Sequence, residues 1–143
     1  MATAHMVRDV MTAPPVEVSP QDYVADVARR MRDEDIGAVL VTEEGHPRGL
    51  VTDRDLTVRI LAEGGDVSGV HVEDACSTDL TTVTPDDPID RAVGLMREKA
   101  VRRLPVVDPD RDRVVGIVSL GDLAVERDTD SALSQISAAE PNT

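Results

Sequence analysis

Length, charge and cysteine content exclude several classes of function. The chain has 143 residues, enough for one compact domain or for two small half-units that share a core, and too few for a multidomain enzyme. Its formal net charge of −13 disfavours attraction to nucleic acid or to an anionic membrane, so neither is an expected partner. Cys76 is the only cysteine, which excludes an intrachain disulfide and favours a reducing, cytoplasmic localisation.

No targeting or membrane segment is expected. The first residues lack the apolar stretch of a signal peptide, and no apolar run reaches the length that spans a bilayer. Only Tyr23 is aromatic, so the core must be built from aliphatic residues and methionine. A planar ligand would therefore lie between aliphatic side chains.

The chain contains an internal repeat, and each copy predicts the order strand, helix, strand, strand, helix. The first copy predicts strands over 16–18, 38–42 and 49–52 and helices over 23–31 and 53–62. The second copy predicts strands over 80–83, 104–107 and 114–119 and helices over 88–96 and 120–127. The first helix of each copy is expected to begin near a Ser/Thr-Pro-x-Asp cap, Ser19 with Asp22 and Thr84 with Asp87.

The repeat predicts an α+β fold with α/β-like order, built from two β-α-β-β-α repeats. We place repeat 1 at 7–62, a linker at 63–71, repeat 2 at 72–127 and a frayed or disordered C-terminal tail at 128–143. Half-units of this size cannot bury enough apolar surface alone. They are therefore expected to pack face to face about a pseudo-two-fold axis.

Each repeat closes on a strand that runs into a helix through Thr52-x-x-Asp55 or Ser119-x-x-Asp122. Two interpretations stay open for this pattern. It is the sequence of an ordinary capping box. It also gathers a hydroxyl, exposed N–H groups and a carboxylate at one point, which suits a phosphate and a sugar diol. Its occurrence twice, in matching context, favours the second interpretation.

These residues resemble a tandem pair of CBS domains, also called a Bateman module, of the stand-alone bacterial type. The resemblance covers about residues 7–127 and rests on Val-Arg-Arg-Leu-Pro-Val-Val-Asp at 101–108, Ile-Gly-Ala-Val-Leu-Val at 36–41, and the closing Gly-h-h-Thr/Ser-x-x-Asp-Leu motifs, where h is apolar. It implies a non-catalytic signal-transduction module that binds AMP, ADP, ATP, S-adenosylmethionine or NAD in clefts between the repeats. It also implies a homodimer and an unknown downstream protein, with no required cofactor.

The resemblance assigns roles to individual residues of both repeats. Asp55 and Asp122 would bind ribose hydroxyls, with Thr52 and Ser119 beside the phosphate. The adenine sides would be lined by the backbone around Val16, Gly37 and Ala38 in one pocket, and around Thr81, Thr82, Arg102 and Arg103 in the other.

The two pockets are expected to be unequal. In the second, Arg102 and Arg103 would neutralise a phosphate, and Gly121 allows close backbone approach. Asp53 adds a carboxylate beside the first pocket, where a phosphate would approach. The pocket of Ser119 and Asp122 is therefore the predicted nucleotide site.

A ligand-free structural or interaction module is the alternative function. An enzyme ranks third, because nucleophile-elbow, Cys/His and phosphate-loop motifs are missing. His5, His46 and His71 lack metal-ligand spacing, so no metal site is expected. Apolar residues on helices 23–31 and 88–96 favour a homodimer, and Cys76, which aligns with Met11, is expected to be partly buried.

Overall fold

The structure is a computed structural model that describes residues 6–127 and residue 136. It divides the chain into two compact units. The middle unit is Val16–Leu80, and the split unit joins Met1–Pro15 to Thr81–Thr143. His5 and, apart from Ile136, the predicted tail lie outside the described residues. Helices and strands are mixed in both units, as the α+β prediction requires.

The middle unit is a three-stranded sheet with helical segments. Strand β1 (Glu17–Val18) pairs in parallel with β2 (Ala38–Glu43), which pairs antiparallel with β3 (His46–Thr52). Helix α1 (Val24–Glu34) connects β1 to β2. After β3 the chain is helical in three steps, namely α2 (Asp53–Asp55), a π-helical turn (Leu56–Ile60) and a 3₁₀ turn (Leu61–Glu63). The core of this unit is aliphatic, as predicted from composition.

The split unit repeats most of this order. Helix α3 (Ile89–Lys99) precedes the antiparallel hairpin of β4 (Arg103–Asp108) and β5 (Arg113–Ser119), which runs into α4 (Leu120–Arg127). The strand predicted over 80–83 is not formed: Val83 makes only an isolated parallel bridge to Val106. Both hairpins carry an irregular register at equivalent places, after Val41 and after Val106.

The boundaries of the two compact units differ from the boundaries of the two sequence repeats. The 3₁₀ turn Val7–Asp9 and Thr12 belong to the split unit, where Thr12 exchanges two backbone hydrogen bonds with Ile117 of 2.8 and 3.0 Å. Ser77 exchanges the same pair with Leu50 in the middle unit, at 2.9 and 3.1 Å. The segment that begins each repeat therefore caps the open edge of the other repeat's hairpin.

Both first helices begin later than their predicted caps. Ser19 N–H donates to Asp22 Oδ2 at 2.9 Å, but α1 starts at Val24 with Tyr23 as its N-cap. Thr84 and Asp87 make the same 2.9 Å contact ahead of α3. The Ser/Thr-Pro-x-Asp pattern therefore forms a separate turn, and the expectation that it caps the helix is wrong. The predicted strands 38–42 and 49–52 leave a turn over 43–48, which is longer than the turn that forms. Glu44 and Gly45, both at positive φ, suffice to connect β2 to β3.

Ala100 ends α3 in the left-handed conformation, at φ 55°. This backbone region favours glycine, because a Cβ crowds the following carbonyl oxygen. Ala100→Gly should therefore raise the free energy of unfolding by about 0.5–1 kcal/mol in urea denaturation. The matched Ala28→Gly, at an exposed site inside α1, should lower it by about 1 kcal/mol. A loss of stability from Ala100→Gly would contradict this account of the helix end.

Within residues 6–127, no helix combines the length and the apolar character needed to cross a membrane.

Candidate functional site

The two Thr/Ser-x-x-Asp motifs form reciprocal capping boxes of equal geometry. Ser119 N–H donates to Asp122 Oδ2 at 2.8 Å, and Asp122 N–H donates to Ser119 Oγ at 3.1 Å. Thr52 and Asp55 make the same two contacts, also at 2.8 and 3.1 Å. In each box, one carboxylate oxygen thus accepts the capping hydrogen bond, and the other oxygen can make a further contact.

The split-unit edge is the place where β4 begins and β5 ends. Arg103 lies directly opposite Ser119 in the antiparallel register, and Leu120 N–H donates to the Arg102 carbonyl at 2.8 Å. Gly121 and Asp122 follow in the first turn of α4. The structure therefore brings Arg103, Ser119 and Asp122 together at one edge.

Arg102 and Arg103 do not serve the same cleft. Directly opposed residues of an antiparallel pair share a sheet face, and successive residues alternate between faces. Arg103 and Ser119 therefore lie on one face, and Leu104 with Val106 and Val118 packs into the core on the other. Arg102, which is exposed and directly precedes β4, lines a cleft between α3 and α4. The expectation that both guanidinium groups face one phosphate needs correction.

Thr82 lies next to the hairpin of the split unit. Its neighbour Val83 is buried in the core and bridges to Val106. Thr82 is exposed to solvent and Thr81 is half-buried. Among the described residues, neither threonine makes a hydrogen bond with Arg103, Ser119 or Asp122, so their part in the split-unit edge stays a prediction.

The middle-unit edge is the place where β2 begins and β3 ends, and mainly backbone contacts hold its residues together. Ala38 is the register partner of Thr52, Asp53 N–H donates to the Gly37 carbonyl at 3.0 Å, and Leu40 N–H donates to the Val16 carbonyl at 2.9 Å. The Val16 side chain packs against the core, so only its backbone belongs to this edge.

The two edges differ in the charged groups that surround their carboxylates. Asp55 Oδ1 lies 3.6 Å from Arg59 Nε, so the second carboxylate oxygen of this box already faces a cation. No cation of the described residues lies within 4.0 Å of the Asp122 carboxylate, and the Arg103 side chain forms no ion pair or hydrogen bond within the same part of the chain. Among the residues that the structure describes, the split-unit edge therefore offers one carboxylate oxygen and one guanidinium group without an ion-pair or hydrogen-bond partner.

Within the described residues, no group of three His, Cys, Asp or Glu side chains is placed to hold a metal ion. His71 stacks on Tyr23, with ring centroids 4.9 Å apart, and its Nδ1 lies 2.7 Å from the Gln21 carbonyl oxygen. His46 is the first residue of β3.

Cys76 is half-buried against the middle unit, as expected from its alignment with Met11. Partial burial raises the pKa of the thiol above its ordinary value, because desolvation disfavours the thiolate. Iodoacetamide should therefore alkylate the native chain at pH 8 more slowly than the same chain in urea, as followed by mass spectrometry. Equal rates would show that the thiol is not held in this environment.

Sequence reasoning missed the role of the two strand glycines. A Cβ on Gly49 would lie 2.7 Å from Cys76 Sγ and 2.9 Å from the Ser77 carbonyl oxygen. A Cβ on Gly116 would lie 2.7 Å from Met11 Sδ and 2.9 Å from the Thr12 carbonyl oxygen. The alignment of Met11 with Cys76 in the repeat was the available signal. It showed that the two positions are equivalent, but not which strand each of them contacts.

Comparison with known proteins matches residues 7–62 and 72–127 each to the CBS domain. CBS domain-containing protein YhcV of Bacillus subtilis is 38% identical over 135 residues, which cover 92% of this chain and 94% of YhcV. Hypoxic response protein 1 of Mycobacterium tuberculosis is 31% identical over 118 residues, which cover 82% of this chain and 81% of that protein.

Solved structures of CBS pairs show the same fold. A CBS-domain protein from Burkholderia ambifaria superposes with a TM-score of 0.76 at 28% identity, over 88% of this chain and 96% of that one. The CBS domain pair of protein MJ0100, in complex with 5′-methylthioadenosine and S-adenosyl-L-methionine, superposes with a TM-score of 0.73 at 24% identity, over 83% and 92% of the two chains. The repeats, the fold and the relatives agree with the resemblance seen in the sequence, and the chain belongs to the CBS domain family as a tandem pair.

Proposed function

We propose that the chain is a non-catalytic regulatory module that binds an adenosine-containing ligand at the split-unit edge. The observation that carries the proposal is the Asp122 carboxylate: one oxygen accepts the Ser119 N–H, and among the described residues neither the other oxygen nor Arg103, the register partner of Ser119, has an ion-pair partner. We place the chain in the cytoplasm, where its single thiol stays reduced, and expect it to signal ligand binding to a downstream protein.

A ribose diol fits the free side of the Asp122 carboxylate. Two vicinal hydroxyls can both donate to a carboxylate, and charged acceptors make the stronger hydrogen bonds. The cap holds Asp122 in place before the ligand arrives, so little side-chain freedom is lost on binding. Asp122 would therefore supply the nucleoside recognition.

A phosphate fits between Arg103 and the start of α4. Arg103 brings a positive charge to a chain of net charge −13, and the first N–H groups of α4 with Gly121 offer a close backbone approach. The MJ0100 pair, which has the same fold, is described in complex with two adenosine compounds. This supports an adenosine compound as the ligand class.

A ligand-free structural module is the second candidate function. It is favoured by the fact that both boxes are already closed by their own two hydrogen bonds, as ordinary helix caps are. In that case neither carboxylate would have any role beyond helix stability.

A thermal-shift screen separates the two candidates. AMP, ADP, ATP, S-adenosylmethionine and NAD are tested separately at millimolar concentration, followed by calorimetry. A ligand present at a hundred times its dissociation constant should stabilise the folded chain by about 2.7 kcal/mol. If none of the five raises the melting temperature or produces heat, the structural function replaces the binding function.

Arg103→Ala should weaken AMP binding by about threefold to tenfold and leave adenosine binding nearly unchanged. The reason is that Arg103 contacts only the phosphate, through a charge-assisted contact at a partly exposed site. Arg102→Ala is the matched control, because it removes the same charge from the other side of the strand, and it should leave both affinities near wild type. Calorimetric titration gives the four constants. Equal losses from the two substitutions would refute the separation of the two arginines.

A further inference from the structure

The two units differ in charge at one equivalent corner, where the first α-helix ends and the following strand begins. In the split unit this corner covers 97–103, around the end of α3 and the start of β4, and in the middle unit it covers 32–38, around the end of α1 and the start of β2. Both corners turn through a left-handed residue, Ala100 or Asp35, each at φ 55°. The backbone of the two corners is therefore alike, and the side chains make the difference.

The corner of the split unit is basic, although the chain as a whole has a net charge of −13. Four cations and one carboxylate give residues 97–103 a formal charge of +3, whereas one cation and three carboxylates give residues 32–38 a formal charge of −2. The basic corner consists of the exposed side chains of Arg97, Lys99 and Arg102. Arg103 is not part of it, because its side chain belongs to the split-unit edge.

The three cations of the basic corner have no anionic partner among the described residues. Neither an ion pair nor a side-chain hydrogen bond joins any of them to that part of the chain. Arg97 and Arg102 line the same cleft between α3 and α4, so their charges lie near each other. The helix dipole stabilises Arg97 and Lys99 in the last turn of α3, but Arg102 lies beyond the helix. An anionic partner would therefore lower the free energy of this surface.

The equivalent corner of the middle unit is already neutralised in part. Arg32 Nε donates to Asp33 Oδ1 at 2.9 Å, and Arg30 Nε donates to Glu34 Oε2 at 2.6 Å. Two of its three carboxylates thus face a cation of their own helix. The carboxylates of a second copy are for this reason a poor complement to the basic corner, and the complement must come from another protein.

We infer that the basic corner binds an acidic segment of a partner protein. Guanidinium and ammonium groups form charge-assisted hydrogen bonds with carboxylates, and arginine can bind both oxygens of one carboxylate. A short acidic segment makes these contacts within one Debye length, about 8 Å at physiological salt, without approaching the acidic remainder of the chain. Nucleic acid and anionic membrane present their charge over a much larger area, which a chain of net charge −13 repels.

Docking at the basic corner does not require a bound nucleotide. That the docked protein is the downstream protein of the regulatory module rests on the proposed function.

Fluorescence anisotropy with a labelled peptide of alternating glutamate and serine tests the docking. The peptide should bind at about 50 mM salt and be released at about 500 mM, and a peptide with glutamine in place of glutamate should not bind. Arg97→Gln with Lys99→Gln and Arg102→Gln should weaken binding about tenfold, with circular dichroism to verify folding. The control, Arg48→Gln with Arg111→Gln and Arg113→Gln, changes net charge equally at exposed positions near the two hairpin turns, and should leave the affinity near wild type.

Carbodiimide coupling locates the bound peptide, because Lys99 is the only lysine of the chain. The reagent joins carboxylates to amines, so the glutamate peptide should couple to Lys99, as mapped by mass spectrometry. Lys99→Arg keeps the charge and should keep the affinity while losing the coupling. Coupling to the N-terminal amine alone would place the peptide elsewhere and contradict the inference.

Titration with AMP keeps this inference apart from the proposed ligand site. The corner variant retains Arg103, Ser119 and Asp122 and should bind AMP as the wild type does, so peptide binding and nucleotide binding can fail separately. Equal losses of peptide affinity in the two triple variants, or no peptide binding at low salt, would overturn the inference. So would tighter binding of a DNA oligonucleotide or of phosphatidylglycerol vesicles than of the peptide, lost in the corner variant, because the partner would then be of another class.

Discussion

Asp122→Ala should weaken the tightest adenine-nucleotide binding by about tenfold to a hundredfold, whereas Asp55→Ala should have little effect on it. Loss of a charge-assisted contact to a ribose hydroxyl costs roughly 1.5–3 kcal/mol, which corresponds to that range of affinity. The asymmetry follows from the surroundings of the two carboxylates. Asp55 Oδ1 lies 3.6 Å from Arg59 Nε and has Asp53 as a neighbour, and the strand opposite Thr52 supplies Ala38 where the split unit has Arg103.

Both alanine variants also remove a helix cap, so affinity must be separated from stability. Asp122→Asn keeps an amide oxygen that can accept from the Ser119 N–H, and removes only the charge that binds the diol. It should fold with near wild-type stability and bind as weakly as Asp122→Ala. Asp55→Asn is its matched control. Calorimetric titration of all four variants measures the effect, and equal losses at the two positions would refute the unequal pockets.

Local chemistry made the hairpins and the closing motifs predictable. The apolar runs around Val39 and Val106 and the Thr/Ser-x-x-Asp pattern depend on contacts within a few residues, so their pairing and capping could be read from the sequence. Helix α4 begins at the predicted Leu120 for the same reason. The family resemblance predicts that Asp55 and Asp122 bind the ligand, and their charge environment adds a difference between them.

Longer-range packing was not predictable from the same rules. Val7 and Val72, at the starts of repeats 1 and 2, are each fully buried in the unit that holds most of the other repeat, because the segment that begins each repeat completes the sheet edge of the other. Nothing in local spacing indicates that exchange. The sequence also did not predict that Arg102 and Arg103 lie on different sides. Their sides depend on the register of β4, and a shift of that register by one residue would exchange them.

Gly116→Ala should lower the free energy of unfolding by about 1–3 kcal/mol, the usual cost of forcing an extra carbon into close-packed structure. The added Cβ would lie 2.9 Å from the Thr12 carbonyl oxygen, which accepts the Ile117 N–H at 3.0 Å. The Met11 thioether can rotate away, but the carbonyl belongs to the backbone and can move only if the segment leaves β5. Gly49→Ala should act in the same way, because its Cβ would lie 2.9 Å from the Ser77 carbonyl oxygen.

Gly94→Ala supplies the matched control for this substitution. Gly94 lies inside α3, and a Cβ added there has no heavy atom within 4 Å apart from its own helix backbone and chain neighbours. The same added methyl group should therefore raise the free energy of unfolding by up to about 1 kcal/mol, because alanine is the better helix former. Urea denaturation of the three variants measures both signs. A Gly116→Ala chain as stable as wild type would mean that the segment around Thr12 is not held against β5, and that the exchange of segments between the repeats is absent in solution.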